Sequence, residues 1–413
     1  MLAGKTIVVG ITGGIAAYKA AELVRLLVKD GAFVRVIMTK NAQEFITPLT
    51  LQTLSGNPVA TETFNLTQES EIGHIRLADT ADLILIAPAS ADVIGKLAHG
   101  IADDLLTTVL LATMASVLVA PAMNIHMYAH PAVQENIRIL GKRGYRFVEP
   151  GEGFLACGYE GKGRLADPED IVEEVRATLT KKDLSNERII VTAGPNAEPI
   201  DPVRFITNRS TGKMGFAMAR VAWRRGADVT LVSGPTSLTP PRGVRFCPVR
   251  TALEMQQAIL SSYGDATMVI SAAAIADYRP AHVASQKIKK REGNFSIELT
   301  RNPDILAGLS PQKGNRLLIG FATETEDVLQ NAMRKLRKKN LDMIVANDVT
   351  QEGAGFAHDT NIVTLIDRSE RMETLPLMSK DEVAHTVYDR LLALRTGIGE
   401  SGTPIIRPDE GTS

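Results

Sequence analysis

Lys5-Thr6-Ile7-Val8-Val9-Gly10-Ile11-Thr12-Gly13-Gly14-Ile15 decides the fold. Residues 5–9 form a short β-rich run that ends in glycines, and a helical pattern follows with Ala20, Val24, Leu27 and Val28 on one face. Asp30-Gly31 stops that helix, and 33–38 reads as the next strand. The second half repeats the device. Residues 188–191 lead into Thr192-Ala193-Gly194-Pro195, a helix is predicted over 212–225, Gly226 ends it, and 228–232 reads as a strand. Further apolar runs at 83–87, 117–120, 268–271, 317–321 and 341–346 lack alternation, which predicts strands buried on both faces of a parallel sheet. Strands alternating with helices give an α/β fold class with two doubly wound, Rossmann-like parallel-sheet domains.

The domains are expected at 1–180 and 188–396, with a polar linker over 181–187 and a disordered tail over 397–413, rich in Gly, Ser, Thr and Pro. With 44% hydrophobic and 23% charged residues the chain has an ordinary globular balance, and a net charge of -1 gives no support to a nucleic-acid or membrane partner. The start lacks a signal-peptide core, and the apolar stretch 105–121 is broken by Thr107, Thr108, Thr113 and Ser116. Two cysteines, Cys157 and Cys247, are too few for a disulfide framework, which predicts a reducing, cytoplasmic setting.

In doubly wound sheets ligands sit beyond the carboxyl ends of the strands. Gly13, Gly14 and Ile15 let backbone approach a phosphate at a helix start, although the loop also reads as a tight turn and lacks G-x-G-x-x-G. Ser90, in Ala87-Pro88-Ala89-Ser90, suits a flat cofactor or a helix cap. His74 suits acid–base chemistry, and Asn124, just after a buried strand, could orient a carboxylate. Cys157 lies in Gly151-Glu152-Gly153-Phe154-Leu155-Ala156-Cys157-Gly158, too glycine-rich for a core and suited to a mobile flap. In the second half Arg204 and Arg209, the nearby hydroxyls and the glycines at 212 and 215 suit an anion, although the stretch also reads as a capped helix with exposed cations, and 271–278 is a strand-end loop of small residues ending in Asp277-Tyr278. Lys335 and Lys339 are expected on one helical face, whereas Lys289, Lys290, Arg337 and Lys338 read as a solvated surface.

Gly-Gly-Ile-Ala-Ala-Tyr-Lys, Gly-His-Ile-x-Leu-Ala, Pro-x-Met-Asn-x-x-Met and Ala-Cys-Gly-x-x-Gly-x-Gly-Arg occur in order over residues 1–170 and resemble the FMN-dependent cysteine decarboxylases. Thr-Ala-Gly-Pro, Arg-Phe-Ile-x-Asn-x-Ser-x-Gly, Ala-Ala-x-Ala-Asp-Tyr, Lys-x-Lys-Lys, Asn-Pro-Asp-Ile, Gly-Phe-x-x-Glu-Thr and Ala-Asn-Asp, over about 186–395, resemble phosphopantothenate–cysteine ligases. The first resemblance implies a flavodoxin-like domain with Gly13, Gly14, Ile15, Thr39 and Ser90 around FMN, His74 as base, Asn124 on the substrate carboxylate and Cys157 as proton donor. The cysteinyl thiol would be oxidised, carbon dioxide lost and the enethiol reduced. The second implies 4'-phosphopantothenate, cysteine and CTP as substrates, with Mg2+ or Mn2+ at Asp277. Ala273, Asp277, Lys287, Asn302, Pro303, Asp304, Ile305, Phe321, Lys335 and Lys339 would line the nucleotide site. Lys287 would stabilise acyl-cytidylate formation, while Arg204 and Asn208 would handle the acyl intermediate. A homo-oligomer is implied as well. Two other readings stand beside these: a flavin or pyridine-nucleotide oxidoreductase, and a non-enzymatic flavoprotein.

Overall fold

The computed structural model describes residues 1–63, 73–154, 160–290, 294–324, 327–348 and 358–396. The expected tail at 397–413 lies outside them. Contacts divide the chain between Thr180 and Lys181 into two units.

In the first unit β1 (Thr6–Ile11), β2 (Phe33–Met38), β3 (Val59–Ala60), β4 (Leu83–Ala89), β5 (Ser116–Pro121) and β6 (Arg146–Phe147) form one sheet in the order β3-β2-β1-β4-β5-β6. Every pairing is parallel. The apolar run of β4 is buried along its whole length, because helices cover both faces. One core lies under α1 (Ala20–Lys29), α2 (Pro48–Ser55) and α8 (Pro168–Leu179). The other lies under α3 (Gly73–Thr80), α4 (Ala91–His99), α5 (Leu105–Ala112) and α7 (Pro131–Lys142), with the short α6 (Ile125–Ala129) between β5 and α7. On α1 the buried stripe is Ala20, Leu23, Val24 and Leu27, while Val28, expected on that stripe, is exposed. Gly31, at φ 90°, ends the helix as expected. A hairpin of β7 (Gly151–Phe154) and β8 (Glu160–Arg164) follows the sheet.

The second unit begins with residues expected as a linker, and these are packed onto it. Leu184 is fully buried in its core, its N–H donates to the Arg225 carbonyl, and Asp183 pairs with Arg225. The strands of this unit are β9 (Arg188–Ala193), β10 (Ala197–Pro199), β11 (Phe205–Thr207), β12 (Asp228–Ser233), β13 (Arg245–Pro248), β14 (Met268–Ser271), β15 (Tyr278–Pro280), β16 (Leu299–Arg301), β17 (Leu317–Glu324), β18 (Met343–Asp348), β19 (Thr360–Asn361), β20 (Val363–Asp367), β21 (Met372–Thr374) and β22 (Met378–Ser379). The main sheet runs β13-β12-β9-β14-β17-β18-β20-β21. Its first six strands are parallel, but β20 and β21 join antiparallel. The sheet is therefore a parallel one of six strands with two antiparallel strands added at one edge. One face carries α9 (Lys213–Arg224) and α13 (Lys380–Thr396), and the other carries α10 (Ala252–Tyr263), α11 (Ile305–Leu309) and α12 (Val328–Lys338). The helix expected over 212–225 is α9.

Helix α9 lies so close to β9 that a Cβ on Gly215 would come within 2.5 Å of the Ala193 Cβ. The turn after β12 is tighter still, since a Cβ on Gly234 would stand 1.7 Å from the Pro195 carbonyl oxygen, a backbone atom with little freedom to give way. Gly234→Ala is expected to cost at least ~3 kcal/mol. For a unit of this size that lowers its melting temperature by roughly 6–12 °C. Differential scanning calorimetry should show the second unit's transition moving and the first unit's staying; an unmoved second transition would mean that the turn re-routes.

Candidate active site

At the carboxyl ends of β1 and β4 the strand order reverses direction, the place where such sheets open a crevice. There the Thr12 hydroxyl donates to the Pro88 carbonyl at 2.8 Å and accepts from the Ser90 N–H at 2.9 Å, tying the two strand ends together. Ser90 also caps α4, its hydroxyl accepting from the Val93 N–H at 3.3 Å, so it both caps a helix and faces a cleft. The Thr39 N–H donates to the Ile11 carbonyl, joining β2 to the same rim.

These ties frame a cleft of about 610 Å³ lined by Gly13, Gly14, Ile15, Ser90 and Asn124 among others. Pro88, Ala122, Met123 and Met127 give it an apolar wall. A neighbouring recess of about 310 Å³ shares Gly13 and Ser90 and adds Thr39. Five of the residues expected around a flavin are thus brought together, with Asn124 beside them. The Asn124 side-chain oxygen accepts from the His126 N–H at 2.8 Å, which fixes the amide at the start of α6. The Met123 N–H donates to the Gly163 carbonyl at 2.9 Å, so β8 closes one side of the cleft.

The two glycines at the rim differ in what demands them. A Cβ on Gly13 would press within 2.5 Å of the Asn41 Cβ. Gly14 is extended, at φ 166°, and a Cβ there would meet nothing within 4 Å. Neither backbone nor neighbours account for glycine at 14, and the missing side chain leaves the cleft open there.

His74 sits at the start of α3, and its Nδ1 is buried with no hydrogen-bond partner among the described residues. It does not line the cleft described above. Cys157 falls in 155–159, between β7 and β8, outside the described residues. Met123 and Met127, which belong to the Pro-x-Met-Asn-x-x-Met motif but were given no role, line the cleft beside Asn124.

In the second unit the expected residues fall into three linked groups. The Asn208 amide donates to the Ala274 carbonyl at 3.1 Å, next to Ala273, whose N–H donates to Thr192. The Asn302 N–H donates to the Asp277 carbonyl at 2.8 Å, and the Asn302 amide donates to the Ala276 carbonyl at 2.8 Å. Behind that loop the buried Glu198 carboxylate accepts from Ala252 N–H at 2.8 Å and from the Asn302 amide at 3.3 Å. Asp304 caps α11 and pairs with Lys339 at 2.9 Å. Pro303 is half-buried and Ile305 anchors α11 in the core, while Phe321 on β17 packs partly buried against the sheet's other face. Lys339 caps the end of α12, its N–H donating to the Lys335 carbonyl one turn below, and its ammonium pairs with Asp304. Arg337, expected as a solvated cation, pairs with Glu370 at 2.6 Å. Arg204 pairs with Asp201, and Lys287 is exposed on the adjoining segment. Glu198 and Asp201 were missed; a carboxylate followed at i+3 by a cation after a proline is a turn signature that could have revealed Asp201.

Among the described residues no three His, Cys, Asp or Glu side chains gather into a metal cage, and no helix is long and apolar enough to cross a membrane.

The flavoprotein family model matches residues 1–180, and the model described as DNA/pantothenate metabolism flavoprotein C-terminal domain matches residues 184–394. The coenzyme A biosynthesis bifunctional protein CoaBC of Bacillus subtilis (strain 168) is 51% identical over 404 residues, 97% of this chain and 100% of that protein. The protein of the same name from Escherichia coli (strain K12) is 48% identical over 396 residues, 95% of this chain and 97% of that one. The crystal structure of the C-terminal domain of a coenzyme A biosynthesis bifunctional protein CoaBC is 44% identical, covering 51% of this chain and 96% of that chain with a TM-score of 0.44. With both halves matched in order and nearly the whole length aligned, the chain belongs to the family of coenzyme A biosynthesis bifunctional proteins.

Proposed function

We infer that the chain carries out two successive steps of coenzyme A biosynthesis, a ligation in the second unit followed by a decarboxylation in the first. The ligase joins 4'-phosphopantothenate to cysteine at the expense of CTP, and the decarboxylase converts the resulting 4'-phosphopantothenoylcysteine to 4'-phosphopantetheine. The observation that carries the reading is the cleft at the β1–β4 switch point, whose Gly14 is unexplained by any contact within the chain.

Flavin mononucleotide fits that cleft by two features. Gly13, Gly14 and Ile15 form a helix-start cradle for a phosphate, and the apolar wall of Pro88, Ala122, Met123 and Met127 suits a planar ring. Bound there, the flavin would supply two-electron oxidation of the cysteinyl thiol and return the electrons after carbon dioxide leaves. Asn124, its amide oriented by the His126 N–H, holds the substrate carboxylate. His74 takes the proton, and Cys157 returns one to the enethiol carbon.

In the ligase, Lys287 offsets negative charge as the carboxylate of 4'-phosphopantothenate attacks the α-phosphorus of CTP and pyrophosphate leaves. Asp277 would help to hold Mg2+ or Mn2+, which would offset the negative charge of the triphosphate. Ala273, Asn302, Pro303, Asp304, Ile305, Phe321, Lys335 and Lys339 surround the nucleotide. Arg204 and Asn208 then hold the acyl-cytidylate while the cysteine amine displaces cytidine monophosphate. The setting is cytoplasmic and the working form a homo-oligomer.

Mass spectrometry of products from purified protein supplied with 4'-phosphopantothenate, cysteine, Mg2+ and either CTP or ATP tests this reading. 4'-Phosphopantetheine with CTP is the expected product. Accumulated cysteine adduct would remove the flavin assignment, and no product with either nucleotide would remove the ligase.

A further inference from the structure

Asp201 carries one of the most fully enclosed carboxylates in the second unit, its side chain 0% exposed although it lies in the loop between β10 and β11. Its Oδ1 accepts from the Val203 and Arg204 N–H groups, each at 2.8 Å. Three more donors converge on Oδ2: Arg204 Nε at 3.0 Å, Arg204 Nη2 at 2.6 Å and the Ile288 N–H at 3.1 Å. Arg204 Nη2 also donates to the Ile288 carbonyl at 2.9 Å, and the Ala284 N–H donates to the Ile200 carbonyl at 3.0 Å. Segment 281–290, which has no helix or strand of its own, is therefore strapped along this loop by three bonds, two of them at the residue next to Lys287.

Lys287 is exposed, on a stretch that local structure does not stiffen. A flexible lysine on such a stretch would have to be ordered at each turnover, whereas a tethered backbone keeps its reach defined beforehand. One carboxylate holds both the lysine's backbone and the arginine's guanidinium. Resting on the ligase reading above, we propose that Asp201 is a positioning residue that fixes Lys287 and Arg204 as a single unit for acyl-cytidylate formation and use. The hydrogen bonds that crowd the carboxylate also hold it far below the usual carboxylate range, so it stays ionised at any working pH.

Asp201→Asn separates this role from packing. The amide keeps an oxygen for Val203 and Arg204 N–H but sets an NH2 against the three donors that meet at Oδ2. In the intact chain, rapid-quench measurement of pyrophosphate release should show kcat for the CTP step falling on the order of tenfold to a hundredfold, with KM for CTP moving far less. Decarboxylation of supplied 4'-phosphopantothenoylcysteine should be unchanged. The decisive readout is coupling: Asp201→Asn combined with Lys287→Gln should be no slower than Lys287→Gln alone. Ile288→Pro, which removes the strap's N–H while also fixing φ at 288 and restricting Lys287, should reproduce the kcat loss and covers the case in which Asp201→Asn does not fold. A wild-type rate for Asp201→Asn or Ile288→Pro, or losses that multiply in the double variant, overturns the proposal while leaving the ligase reading intact. A wild-type rate for Lys287→Gln overturns the proposal by removing the lysine to be positioned, whereas no pyrophosphate release from the wild type would overturn the ligase reading.

Discussion

With His74→Asn, the intact chain should turn 4'-phosphopantothenate and cysteine into the cysteine adduct and stop there, with decarboxylation slowed by about 10²–10⁴-fold. The expectation rests on a buried atom. His74 Nδ1 has no partner among the described residues, and a buried polar group left so typically costs about 1–3 kcal/mol. Such a cost is tolerated where the missing partner arrives with a ligand or a reacting proton. Asparagine retains a polar side chain of similar reach but cannot take up a proton near neutrality. Product analysis by mass spectrometry separates the two steps in one reaction. If 4'-phosphopantetheine forms at the original rate, His74 serves the packing of α3 and the proton goes elsewhere.

Asp381→Ala should destabilise the second unit by about 3–5 kcal/mol, because it breaks a buried ion pair and removes the carboxylate that Arg220 and Arg224 share. Arg224 is 1% exposed and its Nη1 meets the Asp381 carboxylate at 2.6 Å, while Arg220 pairs with the same group from the neighbouring turn of α9. Without that carboxylate Arg224 keeps its charge in the core beneath α13. Burial alone would raise the Asp381 pKa, but the hydrogen bond from Arg220 and the charges of Arg220 and Arg224 reverse this and leave it lowered. A lowered folded pKa means that the stabilisation is complete above the unfolded value of about 3.9 and is lost as pH falls through the folded one. Urea unfolding across pH should therefore show the wild type losing stability below about pH 4. In Asp381→Ala that acid-dependent part should be missing and the whole curve lower. A variant as stable as the wild type at pH 7 would show that Arg224 finds water or another partner.

How far the fold was legible depended on where the information sits. Gly31 and Gly226, each ending a helix before a β-branched run, are local signals, and both fall at helix ends with positive φ. The unbroken apolar run 83–87 reported burial on both faces because burial is written residue by residue. The antiparallel edge of β20 and β21 was not legible, since strand direction is a property of pairing and short half-buried strands such as Met372–Thr374 carry little periodicity. Val28 was assigned to the buried stripe of α1 by spacing alone, and Leu23 holds that place. Among site residues, the loop glycines and Ser90 stood out because small residues after a strand are unusual. Glu198 did not, because Ala252 and Asn302, roughly 50 to 100 positions away, supply its donors, whereas the donors of Asp201 are mostly its neighbours Val203 and Arg204 and its turn was open to a local reading. The pairing of Lys339 with Asp304, 35 positions away, is likewise a product of folding that spacing along α12 does not carry.

The last described helix has a consequence for how the chain is made. Val383, Val387, Tyr388, Leu391 and Leu394 of α13 complete the core that α9 and five parallel strands share. On the ribosome the flavin half, whose final helix α8 ends at Leu179, can finish folding while the ligase half is still being translated. The ligase sheet, by contrast, keeps an apolar face open to solvent until α13 has cleared the exit tunnel. The nascent chain thus acquires its second catalytic step of the sequence before its first, and its most aggregation-prone interval falls at the end of synthesis.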